Sequence, residues 1–96
     1  MQKKAILIDK KDNVATALCQ LGKGDSVQVV VEDFTSDTVL LENIAFGHKF
    51  ALRDIQQGGA IIKYGEAIGL ATKQIRHGEH VHVHNVESQK GRGDKQ

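Results

Sequence analysis

The chain has 96 residues, of which 40% are hydrophobic, so we expect one small domain with a modest core. Its 13 basic and 12 acidic residues give a formal net charge of +1, which argues against a nucleic-acid binder that relies on charge. A single cysteine, Cys19, excludes an internal disulfide, fits a reducing compartment and is expected to be buried. The apolar run Ala5 to Ile8 is too short for a signal peptide or a membrane span, so we predict a cytoplasmic protein without membrane contacts.

The first half of the chain is predicted to form a strand, a helix and a hairpin. The strand is expected from Lys4 to Ile8. Apolar residues at helical spacing then predict a helix from about Asn13 to Leu21, with Asp12 as its N-cap. Two strand-like runs, Ser26 to Glu32 and Thr38 to Asn43, flank a polar segment and predict a hairpin.

The second half is predicted to consist of short strands joined by glycine turns, since the sequence contains no proline. The strands are expected at Phe46 to Leu52, Ala60 to Tyr64 and Ala67 to Thr72. From Ser88 onward the composition becomes polar and glycine-rich, which cannot bury apolar surface. We therefore predict a domain over residues 1–87 and a disordered tail or linker over residues 88–96.

One short pattern recurs along the chain: an apolar residue, a glycine three positions later, and then a strand. It occurs at Leu21 to Val29 and at Ile75 to Val83, with a looser copy at Ile55 to Ile61. Each copy reads as a tight turn whose apolar residue enters the core and whose glycine accepts a positive φ. The spacing between copies is irregular, which excludes a solenoid and favours a compact β fold.

The segment His80 to Asn85 alternates histidine with valine. A strand has a period of two, so this segment is predicted to bury its valines and to present His80, His82 and His84 on the opposite face. Imidazoles titrate near neutral pH and bind metals, so the row suggests a chemical site. The competing interpretation is an exposed strand whose polar face happens to be histidine.

Strand geometry limits how a metal can use this row. His80 and His84 would lie about 13 Å apart along a straight strand, so one ion could be shared only by His80 with His82 or by His82 with His84. Further ligands would have to come from elsewhere. The remaining candidates are Glu66, Glu79, Asp54 and His48.

Three motifs in order, Gly47 to Ile55, Ile62 to Gly69 and Gly78 to Asn85, resemble the N-terminal domain of altronate and galactarate dehydratases. They also resemble the small subunit of sulfolactate sulfo-lyase. The resemblance implies a SAF, or β-clip, fold that is mainly β with one or two short helices. It further implies that a large catalytic subunit completes the enzyme, and that a divalent metal, such as Fe²⁺, takes part in β-elimination from a sugar acid.

Such an elimination needs a base for the proton beside the carboxylate, an acid for the leaving oxygen, and positive charge near the carboxylate. We expect His80, His82 and His84 to supply the base and the acid, or to bind metal. His82 and His84 are the pair we assign to a metal, with further ligands from the partner. His48 and Lys63 are the residues we expect at the substrate carboxylate.

Two other functions compete with a lyase component. Domains of this fold also occur in sialic acid synthases and in pilus or flagellar assembly proteins, which suggests a non-catalytic carbohydrate-binding or assembly module. Such a module has no need for three histidines in register. A simple metal-binding protein ranks last, because the sequence lacks the Cys/His spacing of a structural zinc site. Exposed strand edges also allow pairing with a second copy of the chain.

Overall fold

The computed structural model describes residues 3–88, and this part of the chain is built from strands without a helix. Its nine strands are β1 (Ala5–Ile6), β2 (Val14–Ala17), β3 (Ser26–Val31), β4 (Phe34–Val39), β5 (Lys49–Ala51), β6 (Ala60–Lys63), β7 (Glu66–Ala71), β8 (His80–Val81) and β9 (Val86–Ser88). The predicted β fold is confirmed. Within residues 3–88 there is no helix long and apolar enough to cross a membrane.

The strands form three small antiparallel sheets. The largest has the order β1-β2-β5-β8, the second is the hairpin β3-β4, and the third has the order β6-β7-β9. Strand β5 pairs with β8 through Lys49 opposite Val81 and Phe50 opposite His80. This pairing brings the residues after Gly47 next to the histidines near residue 80.

The repeated turn organises the whole fold, and it occurs four times rather than three. The copy not predicted from the sequence begins at Ile44 and leads through Gly47 into β5. The four apolar residues that open the copies are buried, and the glycines three positions later have φ between 85° and 92°. They are Leu21, Ile44, Ile55 and Ile75, followed by Gly24, Gly47, Gly58 and Gly78.

The four copies associate in two pairs. Leu21 and Ile44 exchange both backbone hydrogen bonds, at 2.9 Å each, and Ile55 and Ile75 do the same at 2.7 and 2.8 Å. Each pair lies in its own hydrophobic cluster: Leu21 and Ile44 pack with Phe50 and Leu40, whereas Ile55 and Ile75 pack with Ile61 and Val81. The sheet that contains β5 and β8 contributes to both clusters, through Phe50 to the first and Val81 to the second.

The predicted helix from Asn13 to Leu21 is wrong, because this segment contains β2. Strand β2 pairs with β1 on one side and β5 on the other, so Val14, Ala15 and Ala17 are all buried. Apolar residues on both faces of a central strand can mimic helical spacing over so short a run. Cys19, predicted to be buried in that helix, is exposed.

Asp12 is not a helix cap but a buried anchor for the turn between β6 and β7. Its carboxylate accepts hydrogen bonds from the backbone N–H groups of Asp9, Tyr64 and Gly65 at 3.1, 3.2 and 2.8 Å. Asn13 extends this contact, because its side chain accepts from the Ile62 N–H and donates to the Ala60 carbonyl. These bonds attach β6 to the start of β2.

Other boundaries shift where turns fall in unexpected places. The β3-β4 hairpin turns at Glu32 and Asp33, so its second strand is the polar segment Phe34–Val39 rather than Thr38 to Asn43. Strands β5, β6 and β7 lie where strands were predicted, with shifted ends. Ser88 pairs with Gly69 at the end of β9, and residues 89–96 of the predicted tail lie outside the described residues.

Candidate functional site

The histidine segment is a strand for two residues only, and its remainder is a turn. After β8 the chain turns at residues 82–85, and Val83 is 81% exposed, so the predicted burial of both valines is wrong for this one. Asn85 causes the turn. Its side chain, fully buried, accepts a hydrogen bond from the His82 N–H at 2.9 Å and donates one to the His80 carbonyl at 2.8 Å.

The turn gathers the histidine rings more tightly than a straight strand would. The ring centroids of His80 and His84 are 5.1 Å apart, against the separation of about 13 Å expected for an extended strand. His48, which follows the glycine of the second repeat copy, lies beside them: its ring stacks on that of His82 at 4.2 Å. We call His48, His80, His82 and His84 the histidine cluster.

Three rings of the cluster are nearly parallel and share polar contacts. The interplanar angles among His48, His80 and His82 are 12° to 20°. His48 Nδ1 and His80 Nε2 are 2.9 Å apart, so one of these nitrogens donates its proton to the other. Such a contact uses one neutral ring nitrogen as an acceptor, the form that can also take up a proton or bind a metal.

The same three residues offer a metal-ligand set. In the part of the chain that the structure describes, the ligand nitrogens of His48, His80 and His82 all lie within 4.8 Å of one another, and His84 is not in this group. Imidazole nitrogens bind divalent ions at about 2.0–2.1 Å, so these nitrogens are close enough to share one ion once the rings rotate. The rings would have to turn out of the stack, because each lone pair lies in the plane of its ring.

The surroundings favour the neutral form of two of the histidines. Partial burial lowers the pKa of His80, with further lowering by His84 and His48 and a smaller opposing effect of Glu42. Partial burial also lowers the pKa of His82, followed by His48, Lys49 and His84. The lowered pKa values favour the neutral form of both side chains, which suits a base or a metal ligand.

Glu42 also contacts the histidine cluster, although the sequence patterns did not reveal it. Its carboxylate accepts a hydrogen bond from the backbone N–H of His80 at 3.0 Å. The Leu41 N–H next to it donates to the Gly78 carbonyl, and a side chain at Gly78 would collide with the Val39 carbonyl. The segment before Ile44 thus packs directly on the turn that leads into β8, and no local motif signals such a contact.

The other residues singled out from the sequence lie outside the cluster. The Asp54 carboxylate accepts a hydrogen bond from the backbone N–H of His77, and the Glu79 carboxylate accepts one from the backbone N–H of Arg76. Glu66 is exposed at the start of β7. His77, which we did not assign to the site, has its Nε2 2.9 Å from Thr38 Oγ1.

Lys63, predicted to meet the substrate together with His48, is placed in a different group. Its Nζ lies 4.0 Å from the centroid of the Tyr64 ring. Lys49 lines a groove of about 330 Å³ together with His82, and the other side chains of this groove are mostly aliphatic: Ile61, Ile68, Val81, Val83, Val86 and Ser88.

The lowered pKa values predict how stability depends on pH. An unfolded histidine has a pKa of about 6.5, so below that pH the unfolded chain takes up protons that folded His80 and His82 resist. The free energy of unfolding should therefore be greatest above pH 7 and fall as the pH is lowered from 7.5 to 5.5. Urea denaturation at the two pH values measures the difference.

Replacing His80 and His82 together by glutamine should reduce the difference in the free energy of unfolding between pH 7.5 and pH 5.5 by at least half. The matched control is His77→Gln, which removes a histidine that lies outside the cluster. Glu42, Lys49, His48 and His84 also act on these rings and stay in place in both variants. Equal pH dependence in the double variant and the wild type would contradict the prediction.

Comparison with known proteins identifies the family. The family model described as "Altronate/galactarate dehydratase SAF domain" matches residues 3–89. Altronate dehydratase of Escherichia coli is 47% identical over 81 residues, which are 84% of this chain but 16% of that protein. The altronate dehydratase of Bacillus subtilis is 38% identical over 86 residues, 90% of this chain and 16% of that protein.

A third relative is itself a small chain. The (2R)-sulfolactate sulfo-lyase subunit alpha of Chromohalobacter salexigens is 42% identical over 62 residues, 65% of this chain and 66% of that protein. The match thus spans about a sixth of the altronate dehydratases and about two thirds of the sulfo-lyase subunit. By its sequence and its β fold, the chain belongs to the SAF domain family of altronate and galactarate dehydratases.

Proposed function

We propose that this domain is the small component of a sugar-acid dehydratase, and that a large catalytic component completes the enzyme. The observation that carries the proposal is the histidine cluster, in which four rings from two separate segments meet on one face. An assembly module gains nothing from such a group, whereas β-elimination needs proton donors and acceptors held together. The subunit alpha of the sulfo-lyase supports a division between chains.

The residues of the cluster have distinct roles in this proposal. His80 and His82, whose lowered pKa values favour the neutral form, accept the proton from the carbon beside the substrate carboxylate or bind a metal. His84, at the outer end of the turn, is the candidate proton donor for the leaving oxygen. His48 and Lys63 are the residues we propose to meet the substrate, although they lie in different groups.

A divalent ion such as Fe²⁺ fits the donor set His48, His80 and His82 better than the pair His82 and His84, because those three nitrogens lie together. When bound, the ion would supply Lewis-acid stabilisation of charge on the substrate oxygens. Three imidazoles leave coordination positions open for substrate or for ligands from the large component.

Two linked measurements test the proposal with His82→Ala. Titration of the full chain with Fe²⁺ under argon should show one ion bound by the wild type and affinity at least about tenfold lower in the variant. When the chain is combined with a large component, such as E. coli altronate dehydratase lacking its matching segment, His82→Ala should lower turnover of altronate or galactarate by about 100-fold or more.

The controls separate chemistry from folding. His77→Gln should bind Fe²⁺ and support turnover like the wild type, and the circular dichroism spectrum of His82→Ala should be unchanged. The chain alone should show no turnover of altronate, galactarate or sulfolactate, with or without Fe²⁺. An unchanged rate in His82→Ala would remove this residue from the site, and activity of the chain alone would refute the small-component assignment.

A further inference from the structure

Two exposed apolar side chains adjoin the histidine cluster. Among the large hydrophobic residues of the described chain, residues 3–88, Val83 is the most exposed, at 81%, and Phe46 follows at 69%. Val83 comes directly after His82 and Phe46 stands two positions before His48, the two histidines whose rings stack at 4.2 Å. A single exposed apolar side chain needs no explanation, whereas two beside one polar cluster indicate a surface that another molecule covers.

The turns that carry these side chains are held by hydrogen bonds. The backbone N–H of Gly47 donates to the Ala17 carbonyl at 2.9 Å, which attaches the turn of Phe46 to β2. The buried Asn85 side chain holds the turn of Val83. Both apolar side chains are therefore presented from an ordered backbone, which reduces the entropy lost when a partner covers them.

An aliphatic groove adjoins Val83. Val83 and His82 line this groove of about 330 Å³ together with Ile61, Ile68 and Val86. An apolar side chain from a partner that entered the groove would leave water and would lie beside His82. The groove therefore connects an apolar contact with the histidine cluster.

The chain leaves the domain at the same groove. Ser88, the last residue of β9, is part of its lining, and the family match ends one residue later, at 89. Most of an altronate dehydratase lies outside the matched segment and must join it at one of its two ends. The other end of the match, at Lys3, lies at a different groove, which no histidine lines.

We propose that Phe46, Val83 and the aliphatic groove form the docking face for the large catalytic component. An apolar side chain of that component fills the groove beside His82, and its neighbours cover Phe46 and Val83. Apolar contacts around a polar centre exclude water from it, so docking would also shield the histidine cluster. This inference rests on the proposed function, because it names the face at which the two components meet.

Two other occupants match the docking face less well. Residues 89–96 consist of glutamine, lysine, glycine, arginine and aspartate, so they contain no apolar side chain to fill an aliphatic groove. A second copy of the chain would cover the histidine cluster and close it to the large component. Each of these occupants gives a distinct result in the tests below.

The first test measures binding of the full chain to E. coli altronate dehydratase lacking its matching segment, by calorimetry without substrate or metal. Circular dichroism and a single sedimenting species establish that the truncated enzyme is folded. Val83→Ser and Phe46→Ser should each raise the Kd at least about fivefold, and the double variant at least about 20-fold. Val30→Ser, at an exposed valine on β3, is the control and should change the Kd less than about twofold.

The second test uses the chain alone, to separate the three occupants. The wild type should sediment as a monomer, and deletion of residues 89–96 should leave the ¹H–¹⁵N NMR signals of Val83 and Val86 unshifted. A dimer that Val83→Ser dissociates would assign the docking face to a second copy. Shifted Val83 and Val86 signals in the truncated chain would assign it to residues 89–96, and either result would overturn the proposal.

The binding test also separates this inference from the proposed function. If the wild type binds and the variants at Phe46 and Val83 bind equally well, or Val30→Ser weakens binding as much as they do, the docking face alone is refuted. If the wild type does not bind the folded truncated enzyme, the division into two components fails as well. Melting temperatures of the three single variants should stay within about 3 °C of the wild type, because all three side chains are exposed.

Discussion

Replacing Asn85 by alanine is expected to lower the free energy of unfolding by about 3 kcal/mol. The Asn85 side chain is fully buried. It accepts the hydrogen bond of the His82 backbone N–H, which has no other partner among residues 3–88, and it donates a hydrogen bond to the His80 carbonyl. Both backbone groups would lose these bonds, at about 1–3 kcal/mol for each buried group left unpaired. Urea denaturation gives the energy, and a fall in melting temperature of about 12 °C or more should accompany it.

The same variant should disperse the histidine cluster. Without the Asn85 side chain the turn at residues 82–85 loses the bonds that draw it together, so the ring proton signals of His80 and His82 should move toward those of unfolded histidines. Asn43→Ala is the matched control, because the Asn43 side chain is exposed and accepts one hydrogen bond from the Lys23 N–H. Asn43→Ala should lower the free energy of unfolding by less than about 1 kcal/mol. Equal losses in Asn85→Ala and Asn43→Ala would show that the turn does not depend on Asn85.

Replacing Asp12 by alanine is expected to be at least as damaging, with a loss of about 3–4 kcal/mol. The carboxylate, 1% exposed, accepts three backbone N–H groups from two separate turns. Hydrogen bonds to a charged group contribute about 1.5–3 kcal/mol each, and part of that is recovered when water reaches the opened turn. Chemical denaturation measures the loss, and hydrogen exchange at the Tyr64 and Gly65 amides should become much faster.

Asp37→Ala provides the comparison for Asp12. Asp37 is also an aspartate that accepts a hydrogen bond, from Gln28 Nε2 at 3.2 Å, but it lies on the exposed face of β4. Its replacement should cost less than about 0.5 kcal/mol. Asp12→Asn should fall between the two, because the amide keeps one acceptor oxygen and presents two donors to backbone N–H groups. If Asp12→Ala cost no more than Asp37→Ala, the anchoring role of Asp12 would be excluded.

The repeated turn shows how far the sequence could be used to predict the fold. An apolar residue followed three positions later by a glycine indicates a tight turn, because the glycine accepts the positive φ found at Gly24, Gly58 and Gly78. The pairing of the copies, Leu21 with Ile44 and Ile55 with Ile75, was not predictable, because the copy that begins at Ile44 was not recognised in the sequence.

The histidine cluster was predicted in composition but not in geometry. Alternation placed His80, His82 and His84 together, whereas His48 was named as a candidate ligand or substrate residue without a position relative to them. The straight strand was wrong because Asn85 bonds back to the segment before it, a contact between side chain and backbone that overrides the period of two. Lys49 and Glu42 gain their importance from His82 and His80, which are distant from them in the chain.

The sequence by itself determined the class of fold, the turns that require glycine, the family and the presence of several imidazoles near one another, because each depends on local conformational preference or on motif order. Tertiary structure alone decided which rings meet and that Asp12 and Asn85 hold the turns. Buried carboxylates and amides must find backbone partners when they leave water, and those partners come from strands that the chain brings together only on folding.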